Sequence, residues 1–73
     1  MPHIIIKMYP GTSEELKEKI AQEITKTLMT IADKPEGSVS IAITDVAKEV
    51  WMNEVYIKEI EPNLDMLYKK PGY

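Results

Sequence analysis

The 73-residue chain contains no cysteine, no arginine and no phenylalanine, and it has one histidine and one tryptophan. Without cysteine there is no disulfide to staple the fold and no thiolate to act as nucleophile or metal ligand. A single histidine cannot complete the three or four ligands of a zinc site either, so no metal is expected. All nine basic residues are lysines, which rules out bidentate guanidinium capture of a carboxylate or phosphate from within the chain. An anion would have to be held by lysine, by backbone N–H groups or by a helix N-terminus. The net charge of -3 with scattered lysines argues against a nucleic-acid partner, which requires a basic stripe. No apolar run approaches a membrane span and no charged-then-apolar leader precedes the domain, so a cytoplasmic protein without membrane contact is expected.

At this length the chain is expected to be one domain, residues 1–73, near the lower limit for folding on a single core. A partner subunit is the expected source of the missing stability. Residues 3–9, His3-Ile4-Ile5-Ile6-Lys7-Met8-Tyr9, read as a strand apolar on both faces, and Pro10-Gly11 breaks it. Thr12-Ser13-Glu14-Glu15 matches a capping box with Thr12 as N-cap. Leu16, Ile20, Ile24, Leu28 and Ile31, with Ala21, then keep to one helical face, and the helix should fade before Pro35. Val39–Asp45 alternates apolar with small or polar residues as a second strand. Strand, helix and strand with short connections form a βαβ unit with parallel strands, so the predicted class is α+β. Val46–Ile60 reads as helical, although Val50, Trp51, Glu54, Val55, Lys58 and Glu59 fit that period only loosely. Pro62 is predicted to open a last short helix through Leu64 and Leu67 that Pro71-Gly72 ends. Two strands are too few to stand alone. If Ile4 and Ile6 meet the helix, Ile5 faces the other way, and a four-stranded sheet shared between two subunits is expected.

Pro2 is the chemically suggestive residue. If Met1 is removed, its ring nitrogen becomes a rigid secondary amine. A free amino terminus titrates near about 8, and burial beside apolar groups lowers that toward neutrality, where an amine is a good general base. The alternative is that proline is simply a small residue permitting Met1 removal. His3 sits beside it, but alternation along a strand turns it from its neighbours' face, so a supporting structural role is expected. Lys7 could lower a nearby amine's pKa by like-charge repulsion, or block unwanted strand pairing as an edge lysine, which is the expected role. Trp51 is either a pocket wall or an ordinary core anchor. Glu14, Glu15 and Glu18 read as capping and surface charge, and Met8, Met29, Met52 and Met66 as gap-filling core or interface residues.

Met1-Pro2-His3-Ile4, the Pro10-Gly11 pair before a capped helix, Ser38-Val39-Ser40-Ile41 and the aromatic Trp51 together resemble the 4-oxalocrotonate tautomerase superfamily. The tail, Glu59-Ile60-Glu61-Pro62 and Lys69-Lys70-Pro71-Gly72-Tyr73, resembles its dimeric PptA-type subgroup. The resemblance covers most of the chain. It implies the tautomerase (MIF-like) fold, a homodimer, and cofactor-free keto–enol tautomerisation of a small-molecule 2-oxo acid. It assigns acid–base catalysis to Pro2 and the cover of the pocket to Trp51. The family's two substrate-binding arginines fall on Thr12 and Ser40, which speaks against a dicarboxylate and for an enol monoacid such as phenylenolpyruvate. Backbone N–H groups near Tyr9 and Ser40 are the candidates for holding enolate charge. The other reading is a non-catalytic ligand-binding or assembly domain, which the missing arginines favour and the retained Pro2 disfavours.

Overall fold

In the computed structural model, which describes residues 1–73, the isoleucine-rich segment forms strand β1, His3–Met8, and the alternating segment forms β2, Ser40–Asp45. The strands pair in parallel, in register from His3 opposite Ser40 to Met8 opposite Asp45. Each is one residue shorter than its sequence suggests. Tyr9 falls outside because Pro10 has no N–H to continue a ladder, and Val39 is drawn into the turn Glu36–Ser38, where its N–H bonds the Glu36 carbonyl.

Helix α1, Glu14–Ile31, joins them. Its N-cap is Ser13 and not Thr12: Ser13 has the extended backbone of a cap (φ -66°, ψ 159°), and its hydroxyl accepts from the Leu16 N–H at 3.2 Å. The reason lies one step earlier, where Gly11 takes φ 123°, a conformation that costs other residues dearly. The turn thereby delays the helix by one residue. Glu14 and Glu15 occupy the first turn, where the helix dipole favours them. The helix ends where expected, with Asp33 at φ 54° and the N–H groups of Ala32 and Lys34 both on the Leu28 carbonyl.

The face of α1 that meets the sheet is Lys17, Ile20, Ala21, Ile24, Thr25 and Leu28, all half-buried. Leu16 is 53% exposed and Ile31 81% exposed, so the two outermost residues of the expected stripe lie off the contact. Lys17 takes the place of Leu16. Its side chain is only 12% exposed, and its ammonium lies 2.9 Å from Asp45 at the end of β2 and 3.6 Å from Glu14. The hydrogen bond to Asp45 raises the Lys17 pKa above the ordinary lysine value, Coulombic attraction to Asp45 and Glu14 adds to it, and desolvation opposes it. The stabilisation is therefore complete at neutral pH and is lost only as pH rises through that raised value.

β1 and β2 turn Ile4, Ile6, Ile41 and Ile43, all half-buried, toward α1. Ile5 lies on the opposite face, 59% exposed. The chain beyond β2 is helical, but not with the ordinary period. Lys48–Val50 is a 3-10 turn, Met52–Ile60 is a π-helix and Glu61–Met66 is again 3-10. At the π-helix end, the Glu61 N–H reaches the Tyr56 carbonyl five residues back. Such a ladder repeats roughly every four and a half residues, which explains why Trp51, Val55, Tyr56 and Ile60 share a buried side while fitting a 3.6 period poorly. Val55, at 5%, is the only residue less than a tenth exposed. The last helix opens at Glu61, one residue before Pro62, and stops at Met66; Leu67 is extended and Pro71-Gly72 plays no part in ending it. Met29, Met52 and Met66 are exposed in the single chain, so they fill no core within it. No helix is long and apolar enough to cross a membrane.

If Ser13 is the cap, Ser13→Ala should cost about 1 kcal/mol, whereas Thr12→Ala should stay within about 0.5 kcal/mol of wild type. Urea titration at fixed protein concentration distinguishes the two, and the reverse order would place the helix start at Thr12.

Candidate active site

Two groups of side chains stand at opposite ends of the sheet. At the first end, the Pro2 carbonyl accepts a hydrogen bond from the Ser40 N–H at 3.1 Å, which extends the ladder by one step and pins the half-buried Pro2 to β2. Met1 beyond it is fully exposed. His3 and Ser40, opposite each other in register, are joined through side chains, with His3 Nδ1 2.6 Å from Ser40 Oγ. The Ser40 N–H is therefore engaged and is not a free donor for an enolate. What Ser40 offers is its hydroxyl.

At the other end, just past β1, the Tyr9 ring meets Trp51 edge to face, with centroids 5.2 Å apart and planes at 88°, the geometry that aromatic quadrupoles prefer. The Trp51 indole N–H donates to the Tyr73 hydroxyl at 3.0 Å. The Tyr73 ring in turn lies 5.7 Å from Tyr56. The sequence points to Tyr9 and Trp51 but misses Tyr56 and Tyr73. Tyr56 stands five residues after Trp51, a neighbour only in a π-helix. Nothing in the local sequence of Tyr73 announces that the tail folds back.

Between the π-helix and the open face of β1 lies a cleft of about 280 Å³, lined by Ile5, Lys7, Trp51, Val55, Glu59 and Ile60. Lys7 is paired with Glu59 across it. Lys7 thus ties the C-terminal segment to the sheet. Thr12 borders a different groove, of about 550 Å³, on the flank of α1 with Leu16, Ile20 and Ile24. That groove shares no residue with either cluster, so Thr12 and Ser40 do not converge within one chain.

His3 and Tyr9 are six positions apart on an extended chain, which is roughly 20 Å at about 3.3 Å per residue. One chain therefore places Pro2, His3 and Ser40 at one end of β1 and Tyr9, on which Trp51 packs, past the other. The tryptophan is unique, so its indole N–H resonance reports on the second group without ambiguity. Tyr73→Phe is expected to move that resonance and to cost about 0.5–1.5 kcal/mol. An unmoved resonance would mean that the tail is not docked on Trp51 in solution.

A family model described as tautomerase enzyme matches residues 2–60. Over its whole length the chain is 40% identical to a probable tautomerase of Xylella fastidiosa, covering 89% of that protein. It is also 40% identical to tautomerase PptA of Cronobacter sakazakii, covering 97% of it. A solved structure of the 4-oxalocrotonate tautomerase isozymes from Methylibium petroleiphilum aligns with a TM-score of 0.64 at 32% identity, over 68% of this chain and 81% of that one. YwhB, a homologue of 4-oxalocrotonate tautomerase, aligns at 0.62 and 21% identity over 64% and 77%, a likeness of fold alone. With the α+β fold, the family match and full-length relatives in agreement, the chain belongs to the tautomerase family, within the 4-oxalocrotonate tautomerase superfamily and its PptA-like subgroup.

Proposed function

We propose that this protein, with Met1 removed, is a cofactor-free keto–enol tautomerase acting on an enol monoacid of the phenylenolpyruvate type, with Pro2 as its acid–base catalyst. The observation that carries this reading is the 3.1 Å bond from the Ser40 N–H to the Pro2 carbonyl. It holds the proline at the head of the sheet, and removal of the exposed Met1 would leave a rigid secondary amine there. The family match beginning at residue 2 supports the same assignment. The amine takes the proton of the enol hydroxyl, the O–H electrons close a carbonyl, and the former C=C pair accepts a proton on carbon from the prolinium. A proton has moved from oxygen to carbon and nothing is oxidised or reduced, so the step needs no redox cofactor. A positioned base of this kind contributes about 10²–10⁴-fold.

The substrate class follows from what faces the site. A second carboxylate would be desolvated without a bidentate partner, which costs several kcal/mol. The edge-to-face pair of Tyr9 and Trp51 offers an apolar wall suited to an aryl body.

That wall reaches Pro2 only from a second copy. β1 has one free edge and three consecutive isoleucines, the composition of an interior strand. Antiparallel pairing of two β1 strands centred on Ile6 sets His3 opposite Tyr9 of the second copy, beside Pro2 and on the same face of the sheet. The result is a homodimer with a four-stranded sheet, both α1 helices on one face, and each site built from both chains. The π-helix occupies part of the other face through Val55 and the Lys7–Glu59 pair, which supports a dimer over a larger ring. A non-catalytic ligand-binding domain is the second reading, favoured by threonine and serine at positions 12 and 40. Turnover by Met1-free protein decides between them.

Pro2→Ala keeps an amine but loses the ring, and the rate on phenylenolpyruvate should fall by about 10²-fold or more. Protein retaining Met1 should be inactive, and the diacid 2-hydroxymuconate should be the poorer substrate. Wild-type rates from both altered proteins would remove Pro2 from the mechanism. For the shared site, Pro2→Ala and Trp51→Leu chains should each be weak alone. Mixed and allowed to exchange, they should recover about a quarter of the wild-type rate, because half the dimers then carry one intact site. No recovery on mixing would place the whole site in one chain.

A further inference from the structure

We infer that His3 binds the substrate carboxylate and that Ser40 positions it for this task. The inference rests on the tautomerase reading for the substrate's identity, but its evidence is separate. An enol of a 2-oxo acid carries a carboxylate next to the reacting carbons, so a donor for that charge must stand beside the base. The chain has no arginine. Lys7, the lysine on β1, is engaged by Glu59. The Ser40 N–H is engaged by the Pro2 carbonyl. What remains beside Pro2 is the imidazole of His3.

The hydrogen bond at its other nitrogen prepares that ring. Of the two neutral tautomers that the 2.6 Å contact allows, a carboxylate selects the one in which Ser40 Oγ–H donates to Nδ1 and the ring proton sits on Nε2, and an imidazolium carries a proton there as well. In both forms Nε2 presents an N–H. His3 is exposed, and its only side-chain partner is Ser40, so Nε2–H is available to a ligand. The alternation that turns the His3 side chain from its neighbours' face does not separate it from the base, because the reacting nitrogen of Pro2 belongs to the chain end. Adjacent Cα atoms are about 3.8 Å apart, within the span of an enol acid whose carboxylate is two carbons from the carbon that receives the proton.

The test uses Met1-free protein and two non-reacting probes, 3-phenylpropanoate and its neutral amide, which differ only in the charged group. His3 is the sole histidine, so its ring resonances are unambiguous. The acid is expected to shift the Nε2–H signal and to bind about ten- to hundredfold more tightly than the amide, the scale of one charge-assisted hydrogen bond. His3→Leu should abolish that preference, and His3→Gln, which keeps an N–H donor, should restore part of it. Ser40→Ala should weaken the acid about three- to tenfold without affecting the amide. With phenylenolpyruvate, the His3→Leu loss should appear in KM rather than kcat. An acid preference that is absent in the wild type, or unchanged in His3→Leu, overturns the inference. Because binding is read without turnover, an inactive protein that still prefers the acid through His3 sinks the tautomerase reading and leaves this one standing. Turnover with KM unchanged in His3→Leu does the opposite.

Discussion

A two-stranded parallel sheet has two faces and two open edges, and this chain has one long helix with which to cover them. α1 takes the side of Ile4, Ile6, Ile41 and Ile43, and leaves Ile5 on the other face 59% exposed. A single residue, Val55, falls below a tenth exposure, far from the buried core that lets a small domain stand alone. The placement of the C-terminal segment, the proposed pairing of β1 edges and the division of the site into two groups all answer this shortage of cover.

The C-terminal segment answers it on the open face. Two kinds of contact hold it there, and their magnitudes differ. The Lys7–Glu59 pair leaves 34% and 48% of its side chains exposed, and partly exposed pairs contribute about 0–1 kcal/mol. Burial of a valine side chain contributes about 1.5–3 kcal/mol, and the Tyr9–Trp51 and Trp51–Tyr73 contacts add to it. Apolar burial and aromatic contacts therefore decide where the segment lies more than the ion pair does. The π-helix is the backbone conformation that sets Trp51, Val55 and Ile60 on one side at once, with spacings of four and five residues.

At the proposed catalytic end, a single ladder hydrogen bond performs two tasks. The Ser40 N–H steadies Pro2, which suits the proposed base, and it withdraws itself from the pool of free donors. In a chain without arginine, the remaining polarity at that end resides in the His3–Ser40 side-chain pair. The inferred carboxylate contact and the proposed preference for monoacids thus have one origin: a site with one good anion donor accommodates one carboxylate.

Much of the fold was legible in the sequence because it rests on local chemistry. Proline and glycine at positions 10 and 11 end a strand, an apolar stripe of 3.6 period makes a helix, and alternation from Val39 makes a second strand that short connections force to lie parallel to the first. Pro2 was legible as a candidate base for the same reason, since its chemistry follows from its place in the chain. What the sequence left open depends on positions distant along the chain or on backbone geometry that residue type does not encode. The φ of Gly11 moved the cap from Thr12 to Ser13. Lys17 displaced Leu16 from the contact because Asp45 waits at the end of β2. The i→i+5 ladder was hidden by the expectation of a 3.6 period. The docking of Tyr73 on Trp51 and the His3–Ser40 hydrogen bond were decided by the tertiary structure alone, because each depends on which segments the sheet and its covering helices bring within reach.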